Sequence, residues 1–227
     1  MVEIKNSEKE PEIKPLDNMG NEVKGSSNAE VNSAKEYWNE VFSMEPEQDE
    51  FEIDENVFAE IFGVSEEQFQ FDFDVYDEKL QDALQLFRED EWNELDYAER
   101  IGTSKALIDT LASMLGIEEI PDLELFDGIE DLRGQFVSRE NKVEINTIGF
   151  ETPGRLVETI AHEMRHAYQE MRAMLGETKQ DILYALNFEN YISPVEIGDR
   201  KFLFFSDYQD QLVEAEARAF AKLFREA

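Results

Sequence analysis

Hydrophobic residues recur with helical spacing along one central segment, and they predict a helix from about Pro153 to Leu175. Its apolar stripe consists of Leu156, Ile160, Met164 and Met171. Thr152 followed by Pro153 is typical of a helix start, with threonine as the N-cap and proline as the first helical residue. Gly176 is typical of a helix end, because glycine readily adopts the left-handed conformation found there.

Similar spacing predicts further helices on both sides of this segment. They are expected at 76–95, 98–115, 177–190 and 211–224, with a shorter one at 29–44. Helices therefore dominate the expected structure.

Strands are predicted by alternating or continuous apolar residues at 123–126, 134–137 and 142–146. The last two predict a β-hairpin that ends just before the long helix. The phenylalanines of 69–74 also alternate, which fits a strand, a segment that orders on a partner, or one that folds back over a cleft. Residues 201–205 are either a strand or a packed aromatic run.

These elements predict an α+β fold, rich in helix, with a small β-sheet next to the long helix. We assign them to one main domain at 76–227. Residues 1–28 are predicted to be a disordered tail, because they are polar and lack apolar periodicity. Residues 29–75 form an acidic, aromatic segment with an expected regulatory or partner-binding role.

The chain is strongly acidic, with 54 Asp and Glu against 21 Lys and Arg and a formal net charge of −33. Residues 1–75 hold 21 of the acidic and 5 of the basic residues, hence a net charge of −16 in one third of the length. Such a charge argues against nucleic-acid binding, since phosphates require a basic surface. It favours a basic protein partner.

The sequence contains no cysteine, which rules out disulfides, thiolate zinc ligands and cysteine nucleophiles. That composition fits a reducing compartment. The first residues lack the pattern of a signal peptide, and no apolar run approaches membrane-spanning length. We therefore expect a cytoplasmic protein that does not bind membranes.

The pentapeptide His162-Glu163-Met164-Arg165-His166 carries the candidate chemistry, and it contains both histidines of the chain. On a helix, residues four apart lie one turn apart on the same face, so both imidazoles can bind one metal ion. Glu163 lies next to the first histidine, where it can act as a general base. This is the His-Glu-x-x-His arrangement of zinc metallopeptidases.

A catalytic zinc usually takes three protein ligands, and without a third histidine the remaining one must be a carboxylate. Glu214 and Glu216 of the predicted helix 211–224 compete for this role. On a helical wheel Glu216 falls within the apolar stripe, where an unpaired carboxylate would be costly, whereas Glu214 lies on an alanine-bearing flank. The wheel slightly favours Glu216 and leaves both open.

Two segments resemble the ImmA/IrrE-type zinc metallopeptidases of bacteria and phages. One is Thr159–His166, with the His-Glu-x-x-His motif, and the other is Glu214–Ala221. The second is similar to the family's later helix, Glu-x-x-Ala-(Asn/Asp)-x-Phe-Ala, at Glu214, Ala217, Phe220 and Ala221. Arg218 stands where the family has Asn or Asp, so the supporting role of that residue is not carried over.

The resemblance covers 76–227 and implies a zincin fold, a bound Zn²⁺ and Glu214 as the third ligand, with Glu216 as the alternative. His166 and Glu214 are 48 positions apart, which implies an insertion around 177–207.

We expect a zinc-dependent metalloendopeptidase that hydrolyses peptide bonds of a protein substrate. Glu163 would act as general base toward a zinc-activated water. The hairpin strand would pair with an extended peptide. Tyr168 and Tyr208 are candidate hydrogen-bond donors to the developing oxyanion.

The acidic composition also fits an interaction or inhibitor protein that binds a basic partner and whose zinc site is structural or vestigial. Glu163 argues against this alternative, since a structural site needs no general base. A third hypothesis joins the two, with residues 1–75 shielding the cleft until they are removed or bound.

Overall fold

The computed structural model describes residues 59–128, 132–193, 195–196, 202–203 and 205–225. They belong to one compact unit, Ile53–Ala227. The predicted tail at 1–28 and the predicted helix at 29–44 lie outside the described residues.

Helices make up most of the described chain, and the predicted α+β class is confirmed. The α-helices are α1 (Glu78–Gln85), α2 (Glu89–Glu94), α3 (Tyr97–Leu115), α4 (Pro153–Leu175), α5 (Lys179–Glu189), α6 (Phe205–Gln209) and α7 (Leu212–Lys222). The strands are β1 (Asp122–Phe126), β2 (Gly134–Val137), β3 (Lys142–Asn146), β4 (Val195–Glu196) and β5 (Phe202–Leu203). None of the helices within the described ranges combines the length and the apolar character needed to cross a membrane.

The strands β1, β2 and β3 form one mixed sheet in the order β1–β3–β2. β3 pairs in parallel with β1 and antiparallel with β2, with Phe136 opposite Val143. The predicted hairpin is therefore confirmed. Among the described strands β2 pairs with β3 alone, so its other edge carries no strand in the described chain. A second small sheet pairs β4 with β5, so residues 202–203 of the segment 201–205 are a strand.

Helix α4 occupies the predicted range and forms the centre of the fold. Helices α3, α5 and α7 and the three-stranded sheet pack around it. Leu156, Ile160 and Met164 of its stripe are almost completely buried, and Met171 packs partly buried against the same cluster. Gly176 ends the helix with a φ of 61°, as predicted.

The start of α4 differs from the prediction in one respect, because the Thr152 side chain makes no capping hydrogen bond. Its backbone ψ is 88°, whereas Asp96, which caps α3 and accepts a hydrogen bond from the Glu99 N–H, has a ψ of 172°. Thr152 therefore occupies the predicted N-cap position without a side-chain cap. Pro153 remains the local start signal.

The helix predicted at 76–95 is wrong at 86–88, where a turn separates α1 from α2. Phe87 and Trp92 are both buried and stack with 5.0 Å between ring centroids. On one continuous helix, residues five apart would lie about 140° apart around the axis. The turn between the helices allows both rings to enter the same core.

Residues 61–73, which we call the N-terminal strap, lie against α7. Ile61 and Val64 are buried in the core. The rings of Phe71 and Phe73 meet the ring of Phe220 edge-on, at centroid distances of 5.4 and 4.9 Å. Of the alternatives left open for 69–74, the strand is excluded, because these residues pair with no strand in the described chain. Because the residues alternate, Phe71 and Phe73 point to the same side and pack on helix α7.

Candidate metal centre

Helix α4 brings the two histidines to one point. His162 and His166 are four residues apart, so their side chains leave the same face of the helix. Their Nε2 atoms are 3.1 Å apart. Both side chains are largely buried, with exposed fractions of 19% and 12%.

Helix α7 packs against α4 and supplies a carboxylate at the same point. Glu214 Oε2 lies 3.5 Å from His162 Nε2, and Glu214 Oε1 lies 3.4 Å from His166 Nε2. The four alanines of α7 are all buried, which fits close packing of this helix against its neighbours. His162, His166 and Glu214 together form a group able to hold a metal ion.

The spacing and the chemistry of this group fit zinc. A tetrahedral zinc with nitrogen and oxygen ligands at about 2.0–2.2 Å holds those ligand atoms about 3.3–3.5 Å apart. The two Nε2 atoms are 3.1 Å apart, and each lies at 3.4 or 3.5 Å from a different oxygen of the Glu214 carboxylate. Oε2 of Glu214 is also buried without a hydrogen-bond partner, a deficit that a bound cation would remove.

Glu216, the alternative ligand, points away from the histidines. It forms an ion pair with Arg165 and accepts hydrogen bonds from Tyr184 Oη at 2.8 Å and from Gln169 Nε2 at 3.0 Å. These donors satisfy its carboxylate in a site where Glu216 is only 4% exposed. The structure therefore places Glu214, and not Glu216, beside the two histidines.

The charged groups of the centre stabilise one another. Burial by itself would raise the pKa of Glu214, but His166 and His162 hold it well below its usual value. Burial by itself would lower the pKa of His166, whereas the neighbouring carboxylates Glu214 and Glu163 raise it to about 9.

Glu163 lies beside this group and is 6% exposed. Burial raises the pKa of its carboxyl, although His162 and His166 partly oppose the shift. The backbone N–H of Phe136 in β2 donates a hydrogen bond to the Glu163 carboxylate. A raised pKa suits a carboxylate that accepts a proton near neutral pH.

Strand β2 therefore runs close to α4. The Asn146 N–H donates to the Arg133 carbonyl at 2.8 Å, so strand alternation directs the backbone groups of Gly134 and Phe136 away from β3. The close approach depends on Gly134, where a Cβ would lie 2.7 Å from Thr159 Cγ2 and 2.9 Å from a backbone oxygen of β3.

Two tyrosines lie at Glu214, and only one of them was expected from the sequence. Burial and the charge of Glu214 raise the pKa of the candidate Tyr208. Tyr191, in the chain after α5, donates to Glu214 Oε1 at 2.5 Å. It was missed because its position outside helix and strand has no periodic signal. The other candidate, Tyr168, instead stacks on Arg165, with the guanidinium carbon 4.3 Å from the ring centroid.

Gln169 was also missed, although a signal existed. It follows His166 by three residues and therefore shares its helix face. Gln169 is fully buried, and its Oε1 lies 2.9 Å from His166 Nδ1. A polar residue at this spacing on a buried helix points to a supporting contact behind a ligand.

Arg218 stands where the family that the sequence resembles has Asn or Asp. Its side chain approaches Glu214. Its Nη1 is 3.9 Å from Glu214 Oε2, and its Nε donates to Glu66 Oε1 at 2.8 Å. The position thus connects α7 to the N-terminal strap.

Comparisons with protein-family models, with curated proteins and with solved structures found no match for this chain. The resemblance to ImmA/IrrE-type metallopeptidases therefore stays a prediction from the motif residues.

Proposed function

We propose that the protein is a zinc-dependent metallopeptidase that hydrolyses peptide bonds of a protein substrate. The observation that carries the proposal is the convergence of His162, His166 and Glu214, with Glu163 buried beside them. Three protein ligands of this kind are typical of catalytic zinc sites. A structural site has no need of the additional carboxylate.

Each residue of the centre has a defined task in this proposal. His162, His166 and Glu214 hold the ion. Bound zinc supplies a Lewis acid that lowers the pKa of water from about 15.7 to about 7. Glu163 accepts a proton from the attacking water and delivers it to the leaving amine. Burial of Glu163 supports this role, because it raises the pKa of the carboxyl.

The edge of β2 that pairs with no described strand supports a peptide substrate. An extended peptide can pair with an exposed strand edge through main-chain hydrogen bonds. The outward N–H of Phe136 meets the Glu163 carboxylate, so a peptide on this edge would lie next to the general base. Tyr191 and Tyr208, both at Glu214, are the candidate donors to the developing oxyanion.

The test combines zinc content with hydrolysis of a mixture of fluorogenic peptides. We expect about one zinc per chain, and we expect the His162→Ala variant to lose it. Glu163→Gln should keep its zinc and lose hydrolysis by at least about 100-fold. Glu158→Gln is the matched control, because Glu158 lies on the same helix but pairs with Arg225.

Two results would contradict the proposal. Hydrolysis that persists in Glu163→Gln would exclude Glu163 as the base. A folded wild-type chain that takes up no zinc when zinc is supplied would exclude the metal centre.

The net charge of −33 favours a second candidate, an acidic interaction or inhibitor protein whose zinc site is structural or vestigial. Recovery of one basic partner, without cleavage and without an effect of a chelator, would support this candidate over the peptidase. For either function we propose a cytoplasmic location, on the absence of cysteine.

A further inference from the structure

A buried glutamine separates His166 from the ion pair behind it. The amide nitrogen of Gln169 donates to the Val213 carbonyl and to Oε2 of Glu216, each at 3.0 Å. Its amide oxygen lies 2.9 Å from Nδ1 of His166. Gln169 is fully buried, so water does not compete for these contacts.

The two acceptors determine which way the Gln169 amide points. A carbonyl and a carboxylate can only accept hydrogen bonds, so the NH₂ end of the amide must face them. The opposite orientation would bring three oxygens together and leave buried polar groups unsatisfied, which is costly. The amide oxygen must therefore face His166.

The amide orientation decides in turn which nitrogen of His166 carries the proton. An amide oxygen only accepts, so Nδ1 opposite it must be the protonated nitrogen. In the neutral ring Nε2 then keeps the free lone pair, and Nε2 is the atom that faces His162 and Glu214. A neutral imidazole with this arrangement is ready to bind a metal.

We propose that Gln169 is a positioning residue, which holds His166 in the Nδ1-protonated tautomer and so prepares Nε2 as a ligand. The inference rests on the metal centre of the proposed function and is independent of peptidase activity.

Glu216 and Arg165 keep this glutamine in place. The Glu216 carboxylate is held by the Arg165 ion pair and by Tyr184 Oη at 2.8 Å. The Arg165 guanidinium carbon lies 4.3 Å from the ring centroid of Tyr168 and 5.3 Å from that of Phe220. Because these contacts fix the position of Glu216, they also fix the acceptor that orients Gln169.

The two histidines serve as the probes of the test. The full chain is labelled with ¹⁵N and loaded with zinc alone, and long-range ¹H–¹⁵N correlations report which ring nitrogens are protonated and which bind zinc. With two histidines in the chain, and His162→Ala as the assignment control, both rings can be identified. We expect His166 to be protonated at Nδ1 and zinc-bound at Nε2. Zinc on Nδ1 of His166 would overturn the inference.

The variant Gln169→Met tests the cause, because methionine fills a similar volume without the amide. We expect zinc affinity, measured by competition with a chelator, to fall by about 10–100-fold. The His166 Nδ1 resonance should shift as its acceptor is lost. Zinc affinity within about twofold of wild type would overturn the inference. Should this variant not fold, the ring assignment in the wild-type chain still decides.

Gln211→Met is the matched control, since Gln211 is an equally buried glutamine whose amide bonds to Asn187 and Ile192 and not to His166. Its zinc affinity should stay within about twofold of wild type. A loss equal to that of Gln169→Met would show a general loosening of the buried network and overturn the positioning role. Zinc binding with the expected tautomer but no hydrolysis would contradict the peptidase alone, whereas a chain without zinc binding would contradict both proposals.

Discussion

Arg218 donates from Nε to Oε1 of Glu66 at 2.8 Å, and this ion pair joins helix α7 to the N-terminal strap. Lys222, one turn further along α7, pairs with the same carboxylate. Phe71 of the strap faces Arg165 on α4, with the guanidinium carbon 5.0 Å from the ring centroid. The strap therefore contacts both helices that supply the metal centre.

Two truncated chains should show that the strap stabilises the fold and that the residues before it do not. A chain that begins at Ile53 should fold and bind zinc like the full chain, because it retains the strap. A chain that begins at Tyr76 loses the burial of Ile61 and Val64, worth about 3–6 kcal/mol together, and should have a much lower Tm. Thermal unfolding and zinc content of both chains provide the measurement.

The truncated chains also test the hypothesis that residues 1–75 shield the cleft. Faster hydrolysis by a stable chain that begins at Tyr76 would support shielding and contradict the structural role of the strap. Equal Tm values for the two truncated chains would contradict that role as well.

Replacing Glu214 should affect zinc binding, whereas replacing Glu216 should affect the free energy of unfolding. Glu214→Gln should abolish zinc binding at micromolar zinc, because it removes a ligand. Glu216→Gln leaves the largely buried Arg165 without its ion pair and should lower the free energy of unfolding by about 3–5 kcal/mol. Urea unfolding and zinc titration of both variants measure the contrast. Loss of zinc in Glu216→Gln with normal binding in Glu214→Gln would reverse the ligand assignment.

Gly134 should tolerate no side chain. Gly134→Ala places a Cβ against Thr159 and the backbone of β3, so β2 must move away from α4. We expect a destabilisation of about 1–3 kcal/mol and reduced hydrolysis, because the Phe136 N–H is displaced from Glu163. Gly154→Ala is the matched control, since nothing lies within 4 Å of the added Cβ at the start of α4. It should be neutral or stabilising, by up to about 1 kcal/mol. Equal unfolding energies for the two variants would contradict the close approach.

Asp181 should cause the free energy of unfolding to decrease at acid pH. It is 1% exposed and accepts hydrogen bonds from Arg172 Nε and Nη2, each at 2.8 Å, and from the Thr178 N–H at 2.9 Å. Burial alone would raise the pKa of Asp181, but these donors lower it. A lowered folded-state pKa adds stability that is present above the unfolded value of about 3.9 and is lost as pH falls through the folded value.

Unfolding of Asp181→Asn and wild type between pH 7 and pH 3 measures this effect. The difference should be about 1.5–3 kcal/mol near neutral pH and should shrink below about pH 4. Asp109→Asn is the control, because Asp109 forms an exposed ion pair with Lys105 and should change stability by less than about 0.5 kcal/mol. A difference between wild type and Asp181→Asn that does not change with pH would exclude the charge of Asp181 as its cause.

Local features of the fold could be predicted because their signals lie within a few residues of each other. The bounds of α4, its glycine stop and the hairpin of β2 and β3 follow from periodicity and turn residues. The break between α1 and α2 could not be predicted, because it depends on the packing of Phe87 on Trp92. The alternation at 69–74 was visible, but its partner, Phe220, lies about 150 residues away in the sequence.

The sequence by itself determined that two histidines and one glutamate share a turn of helix, since four-residue spacing on a helix permits little else. Only the tertiary structure decided between Glu214 and Glu216. The two residues lie about 160° apart around α7, so the rotation of that helix against α4 sets which one faces the histidines. That rotation depends on side chains far apart in sequence, among them Arg165, whose charge is neutralised by Glu216 in the packed interior.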